Sequence, residues 1–270
     1  MAPVILLPLY IYPLEGAWEP LFGAAQANPG VTFQVVVNPG NGPGPDPLPD
    51  ASYMAALRRL CELPNVEPLG YVHCTYGQRD AAPIQRDIET YMGWNDHGLR
   101  VHGIFFDETP WEPVHADLMA SYTQHVRETW RRRSSPELEA SSASSPSATS
   151  STSSHGGNPP GGASVVVYNP GVVVVEPYFN DADYIVVFEQ SAGHWEDYFL
   201  NQGLPQIPAR LRHKAVAVVH TCDEDRPERS VGGLARQISA LGFGGVHLTD
   251  ELDGGYTKWP AQWGNFAASL

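Results

Sequence analysis

Residues 100–109 read RVHGIFFDET. An apolar run over 101–106, broken by His102, ends in two adjacent carboxylates, Asp107 and Glu108. Parallel strands buried on both faces read as continuous apolar runs, and in barrels of such strands the polar chemistry collects at their C-terminal ends. The fold therefore turns on whether the rest of the chain repeats this pattern.

It does so in both directions. Strands are expected at 4–12 (VILLPLYIY), 31–39 (VTFQVVVNP), 67–77, 99–108, 164–170, 183–190 (DYIVVFEQ), 213–220 and 244–251. Helices are expected between them at 18–28, 52–63, 82–94, 113–133, 194–203 and 229–242, with a short turn or helix at 176–181. Ile84, Ile88 and Tyr91 recur at a helical period, Ser52 is placed to cap its helix, and Gly242 to stop the last one. Eight β/α units in a chain of 270 residues predict an α/β fold, a TIM (β/α)8 barrel forming a single domain over 1–270. A doubly wound open sheet is the main rival. It usually has fewer strands, and no GxGxxG fingerprint follows the first strand.

One segment breaks the rhythm. Residues 134–163 are rich in Ser, with nine Ser and two Thr within 141–154. Such composition cannot bury a core, so a disordered low-complexity insertion is expected between helix 4 and strand 5. An αβ connection lies on the face opposite a barrel's active site, which makes this a tolerated insertion and not a lid.

The net charge of −14 argues against nucleic acid or an anionic membrane surface as partner, since phosphate binding needs clustered Lys and Arg. The one basic run, 131–133, ends an expected helix, where cations suit the dipole. No apolar stretch is long enough for a membrane span. The apolar N-terminus lacks a basic leader and a small-residue cleavage site, so no signal peptide is expected and the chain as written reads as intracellular. Cys61, Cys74 and Cys222 form neither a disulfide framework nor a zinc pattern, and small buried apolar roles are expected.

The strand ends carry Tyr10 and Tyr12, Asn38, His73 and Tyr76, Asp107 and Glu108, Asn169, Glu189, His220, and Asp250 with Glu251. Strand ends meet water in any barrel, so a polar residue at one of them is ordinary. Asp107 and Glu189 are less ordinary, because each closes a strongly apolar run with no basic residue close in sequence. Two carboxylates on different strands, facing across a pocket, are the minimum machinery for glycoside hydrolysis. Neighbours on a strand point to opposite faces, so Asp107 and Glu108 should diverge unless the chain turns there. Tyr and Trp around the mouth, Trp18, Trp94, Trp111 and Trp195 among them, would stack on sugars, although helix-to-barrel packing explains most of them and is favoured for Trp94. A metal site built from these acids with His73 and His220 has no HExxH or DxD spacing behind it, and no metal or other cofactor is expected. Acyl hydrolysis lacks a GxSxG, and Cys74 beside His73 points away from it. NPGNGPG over 38–44 lacks the Lys and Ser/Thr of a P-loop.

VILLPLYIYP, VVVNPGNGPG, LGYVHCTYGQR, YMGW, GIFFDE, VVYNPG and VVFEQ occur in that order along the chain. In this the chain resembles the spherulin-4-like (spherulation-specific family 4) glycoside hydrolases over essentially its whole length outside the Ser-rich insertion. The resemblance implies a TIM-barrel hydrolase, endo-acting on an α-1,4-linked galactosamine/N-acetylgalactosamine polysaccharide of the galactosaminogalactan kind. It implies essential acids at Asp107, Glu108 and Glu189. By similarity to related barrel α-glycosidases, Asp107 would be nucleophile and Glu189 general acid/base, with Glu108 as alternate or supporting group. Tyr12, Asn38, His73, Tyr76, Arg79, Asn169 and Asp250 are the expected substrate contacts. Members are often secreted or surface-anchored. The expected partner is a polysaccharide or oligosaccharide, and a monomer is expected. The rival function is a non-catalytic carbohydrate-binding or developmental barrel of the same fold. Two like charges held together at the strand ends argue against a pure binder.

Overall fold

The computed structural model of the chain describes residues 2–134, 164–252 and 256–270. Eight parallel strands close into a barrel in sequence order, with β8 returning to β1. They are β1 (Val4–Leu9), β2 (Phe33–Val37), β3 (Val66–His73), β4 (Gly103–Asp107), β5 (Val165–Tyr168), β6 (Tyr184–Ser191), β7 (Ala215–His220) and β8 (Gly245–Leu248). The helices are α1 (Glu19–Ala27), α2 (Ala51–Leu60), α3 (Ala81–Trp94), α4 (Ala116–Ser134), α5 (Pro177–Asp181), α6 (Ala192–His194), α7 (Val231–Ala240) and α8 (Trp263–Ala268). This is the TIM barrel that the sequence pattern predicts. The Ser-rich segment expected to be disordered lies, from residue 135 onward, outside the described residues.

Strand alternation sorts the core into two layers. Leu6, Val36, Leu69, Phe105, Val167 and Val186 fill the barrel interior. Their neighbours, such as Ile5, Val35, Ile104, Val166 and Ile185, face outward into the helical ring. The expected helical stripe of α3 is fully buried at Ile84, Ile88 and Tyr91. Close approach is needed there: a Cβ on Gly70 of β3 would fall 2.4 Å from the Tyr91 ring. Trp18, Trp94 and Trp195 are buried in the same packing.

Three local expectations need correction. The cap of α2 is Asp50, not Ser52: the Asp50 carboxylate accepts from the Tyr53 backbone N–H at 3.0 Å, and Ser52 falls inside the first turn. The helix expected at 194–203 is a π-helix, Trp195–Gly203, following the single turn of α6. Its bulky Trp195 and Phe199 stack on each other and pack with Phe188 and Phe243, which suits a wider turn than the α-helix gives. The helix expected from 113 opens as a 3₁₀ turn, Pro113–His115, before α4. Strand ends also come earlier than expected, because the chain leaves several of them in left-handed conformations, with φ of +48° at Glu108 and +48° and +53° at Thr75 and Tyr76.

Candidate active site

The C-terminal mouth of the barrel is floored by a ring of polar side chains. Asp107, the last residue of β4, follows Phe105 on the inward face. Tyr71 of β3 donates its hydroxyl to Asp107 Oδ2 at 2.8 Å. Asn169, just past β5, donates from Nδ2 to Asp107 Oδ1 at 2.8 Å and to Glu189 Oε2 at 2.8 Å. Tyr256, from the segment after β8, donates to Glu189 Oε1 at 2.5 Å. Tyr10 closes the circle, meeting Tyr71 and Tyr256 edge to face at 5.7 and 5.9 Å. Both acceptor oxygens lie 2.8 Å from the same Nδ2, so they are separated by no more than the sum of these two lengths.

Glu189 reaches this ring through a β-bulge. In a regular strand, residues facing inward alternate, so Val186 inside would put Phe188 inside and Glu189 outside. The β6–β7 register shifts between Val186 and Phe188, and Val187 and Phe188 both belong to the outer layer. The extra residue re-aims Glu189 into the mouth. Its backbone N–H is held by the Gly171 carbonyl at 3.2 Å.

The environment of Glu189 favours its protonated form. Burial raises its pKa and the charge of Asp107 raises it further, while the donors Tyr256 and Asn169 act in the opposite direction without cancelling the rise. The Tyr71 and Tyr256 hydroxyls are pushed far above the ordinary phenol range by burial first and by the neighbouring carboxylates, so both stay protonated as donors. A cleft of about 230 Å3 opens beside Glu189, lined also by His220, His247, Thr249 and Glu251. Burial lowers both histidines, His247 to about 3, so neutral imidazoles line it near neutral pH.

The other expected site residues fall into two groups. Glu108 and Tyr76 sit at the edge of the acid ring: the Tyr76 backbone N–H donates to the Glu108 carbonyl at 2.7 Å, and burial and then the charges of Glu108, Asp107 and Glu189 raise the Tyr76 phenol. Glu108 lies beyond β4 in a left-handed turn, so the divergence expected of strand neighbours does not govern it. The second group holds loops. Tyr12 donates to Asp50 Oδ2 at 3.0 Å, Asn38 Oδ1 accepts from Gly42 N at 2.9 Å, and Asp250 Oδ1 accepts from Ala261 N at 3.0 Å. Arg79 pairs with Asp87 of α3 at 2.7 Å and donates to the carbonyl of His73, while His73 Nδ1 contacts the Asn41 carbonyl. The residues missed by sequence reasoning are Tyr71 and Tyr256. Tyr71 sits two positions before a strand end, a spacing that could have pointed to it, whereas nothing local marks Tyr256. Cys74 is buried, and burial raises its thiol out of nucleophilic range; Cys61 and Cys222 are only half-buried.

Fold and site together define a TIM barrel with a carboxylate-centred pocket at its C-terminal mouth. The chain belongs to spherulation-specific family 4, whose model matches residues 4–270. It is 26% identical over 255 residues to Spherulin-4 of Physarum polycephalum, a match that takes in 93% of this chain and 64% of that protein. It is similar to the crystal structure of Aspergillus clavatus Sph3 in complex with GalNAc, with 30% identity and a TM-score of 0.78, over 99% of this chain and 97% of the other. A chitinase-like agglutinin from Robinia pseudoacacia shares the fold at 11% identity and a TM-score of 0.50, over 91% of this chain and 95% of that one.

Proposed function

We propose that this protein is a glycoside hydrolase that cleaves within an α-1,4-linked galactosamine/N-acetylgalactosamine polysaccharide. The observation that carries the reading is the Asn169 bridge, which holds the carboxylates of Asp107 and Glu189 side by side at the open end of the barrel. The choice of sugar rests on the similarity to Sph3, crystallised with GalNAc.

The roles follow from the two environments. Glu189, with its raised pKa, holds the proton that the departing glycosidic oxygen needs. Asp107, oriented by Tyr71 and Asn169, attacks the anomeric carbon and forms a glycosyl ester. Glu189 then takes a proton from the water that releases the sugar. The Tyr256 hydroxyl can accept from Glu189 as an acid and donate to it as a carboxylate, so it supports both halves of the cycle. Acids close enough to share one amide donor fit the shorter carboxyl separation of retaining enzymes, whereas inverting ones leave room for a water between the acids. Glu108 supports the mouth from its edge.

The test compares wild type with Asp107→Asn and Glu189→Gln on acetylated and deacetylated galactosamine polymers. Oligosaccharide release by wild type alone, with the first product keeping its anomeric configuration in NMR, is the expected result. Equal release by all three proteins would remove these acids from the site, and binding of polymer without release by wild type would leave a carbohydrate-binding barrel.

A further inference from the structure

The molecule contains seven tryptophans. Six of them, Trp18, Trp94, Trp130, Trp195, Trp259 and Trp263, donate the indole N–H to a protein acceptor. Trp111 makes no such bond among the described residues and is 46% exposed, whereas five of the other six are buried. This exposure does not come from a loose loop. Thr109 is fully buried beside it, with its N–H on the Asn169 carbonyl and its hydroxyl on Phe106 O, and the Glu112 carbonyl accepts from the buried Tyr178 hydroxyl at 2.8 Å. The chain thus fixes an indole in solvent, one loop outward from Asp107.

A second ring stands against it. Tyr76, 48% exposed, meets Trp111 at 5.7 Å between centroids and 73° between planes. Two consecutive non-glycine residues, Thr75 and Tyr76, adopt left-handed φ to place it, an unfavourable conformation that is worst for a β-branched residue such as Thr75. Its hydroxyl edge is within electrostatic reach of Glu108, Asp107 and Glu189. Among the described residues, the exposed large apolar side chains other than Tyr198, which lies on the π-helix, are in connections that follow a strand's C-terminal end, from Tyr12 and Leu14 after β1 to Leu252 after β8. Apolar surface concentrated on one face marks an interaction site.

We infer that Tyr76 and Trp111 form a separate sugar subsite that binds a pyranose ring of the polysaccharide away from the bond being cut. Trp111 is the stacking platform and Tyr76 braces it edge-on. Galacto-configured rings suit it, because their axial 4-hydroxyl leaves C–H groups at positions 3, 4 and 5 together on one face, and a desolvated C–H patch stacks on an aromatic ring. The inference takes its ligand class from the proposed function, but it is a statement about binding and chain length, not about turnover.

The experiment measures binding of α-1,4-linked N-acetylgalactosamine oligosaccharides, from monosaccharide to hexasaccharide, to Glu189→Gln by calorimetry and intrinsic fluorescence. Affinity is expected to rise with chain length, and the longer oligosaccharides to shift tryptophan emission, whereas the monosaccharide leaves it unchanged. Adding Trp111→Ala should remove the emission shift and weaken hexasaccharide binding roughly tenfold, and Trp111→Phe should restore most of the affinity. Gluco-configured hexasaccharides should bind more weakly. An emission shift as large with the monosaccharide, or hexasaccharide binding unaltered by Trp111→Ala, would overturn the subsite. Length-dependent binding through Trp111 in a wild type that releases no product would leave the subsite standing and remove the hydrolase reading.

Discussion

The connections entering the barrel strands and those leaving them differ in their backbone. Among the described residues, the left-handed positions in connections that enter strands are glycines, Gly98 and Gly242. In connections that leave strands the same region holds glycines too, Gly16, Gly42, Gly44, Gly77 and Gly171, but also six residues with side chains, Asn41, Thr75, Tyr76, Glu108, Thr221 and Tyr256. Glycine turns without strain, whereas a side chain held there costs on the order of 1 kcal/mol or more. The interior repeats the contrast. At the N-terminal end, Gln34 of β2 donates to the carboxylate of Glu67 of β3 at 3.2 Å, a single acid with a neutral partner. At the C-terminal end two carboxylates share one amide. One end is built for stability and the other accepts a cost in stability to hold reactive groups.

Substitutions at the two ends should therefore separate stability from activity. The largest effect is expected from Asp107→Asn or Glu189→Gln, each lowering kcat by roughly 10³-fold or more while the far-ultraviolet circular dichroism stays that of wild type. Gly103→Ala is the counterpart at the other end. A Cβ there would lie 1.8 Å from the Val165 carbonyl oxygen, so a loss of roughly 3 kcal/mol in denaturant unfolding is expected, with kcat per folded molecule retained. If Gly103→Ala instead unfolded normally and lost turnover, the division between the ends would fail.

Smaller effects sharpen the picture within the mouth. Asn169→Ala removes the amide bridging both acids, and a fall in kcat of roughly 10²-fold is expected, measured beside KM to show that binding changes less. Tyr256→Phe removes a donor that lowers the pKa of Glu189, so that pKa rises and the alkaline limb of the kcat–pH profile moves to higher pH. An alkaline limb that stays in place would deny Glu189 the acid role. The smallest effect concerns stability. The folded-state pKa of Glu189 is raised, so its contribution to stability is full below the unfolded-state value and is lost as pH rises through the folded-state value. Glu189→Gln is thus expected to have a higher Tm than wild type at pH 7, with the difference shrinking as pH falls.

Much of the fold was legible because the strands are short apolar runs bounded by turns and too short for a helix, as at Val165–Tyr168, with the run VVVV over 172–175 close behind it. That pair also shows the limit: 172–175 is equally apolar and forms no strand, since Val172 and Val175 are exposed in the loop ahead of α5. In the site, Asp107 and Glu189 stood out because acids ending apolar runs need an explanation. Asn38, Asp250 and Tyr12 were equally polar strand-end residues and Arg79 a cation just beyond one, and only their partners show that each also holds a loop. Tyr256 was invisible because its partner Glu189 lies 67 residues away.

The sequence by itself determined the strand–helix alternation, the closed barrel it implies and the acids at two strand ends, because these depend on local periodicity and on where apolar runs stop. Only the tertiary structure decided that Glu189 faces inward, through the register shift at Val186–Phe188, and that one amide joins it to Asp107. It also decided which tryptophan stands in solvent. A bulge, a shared donor and an exposed ring all depend on what the neighbouring strands and loops supply, and no window of the chain contains its own neighbours.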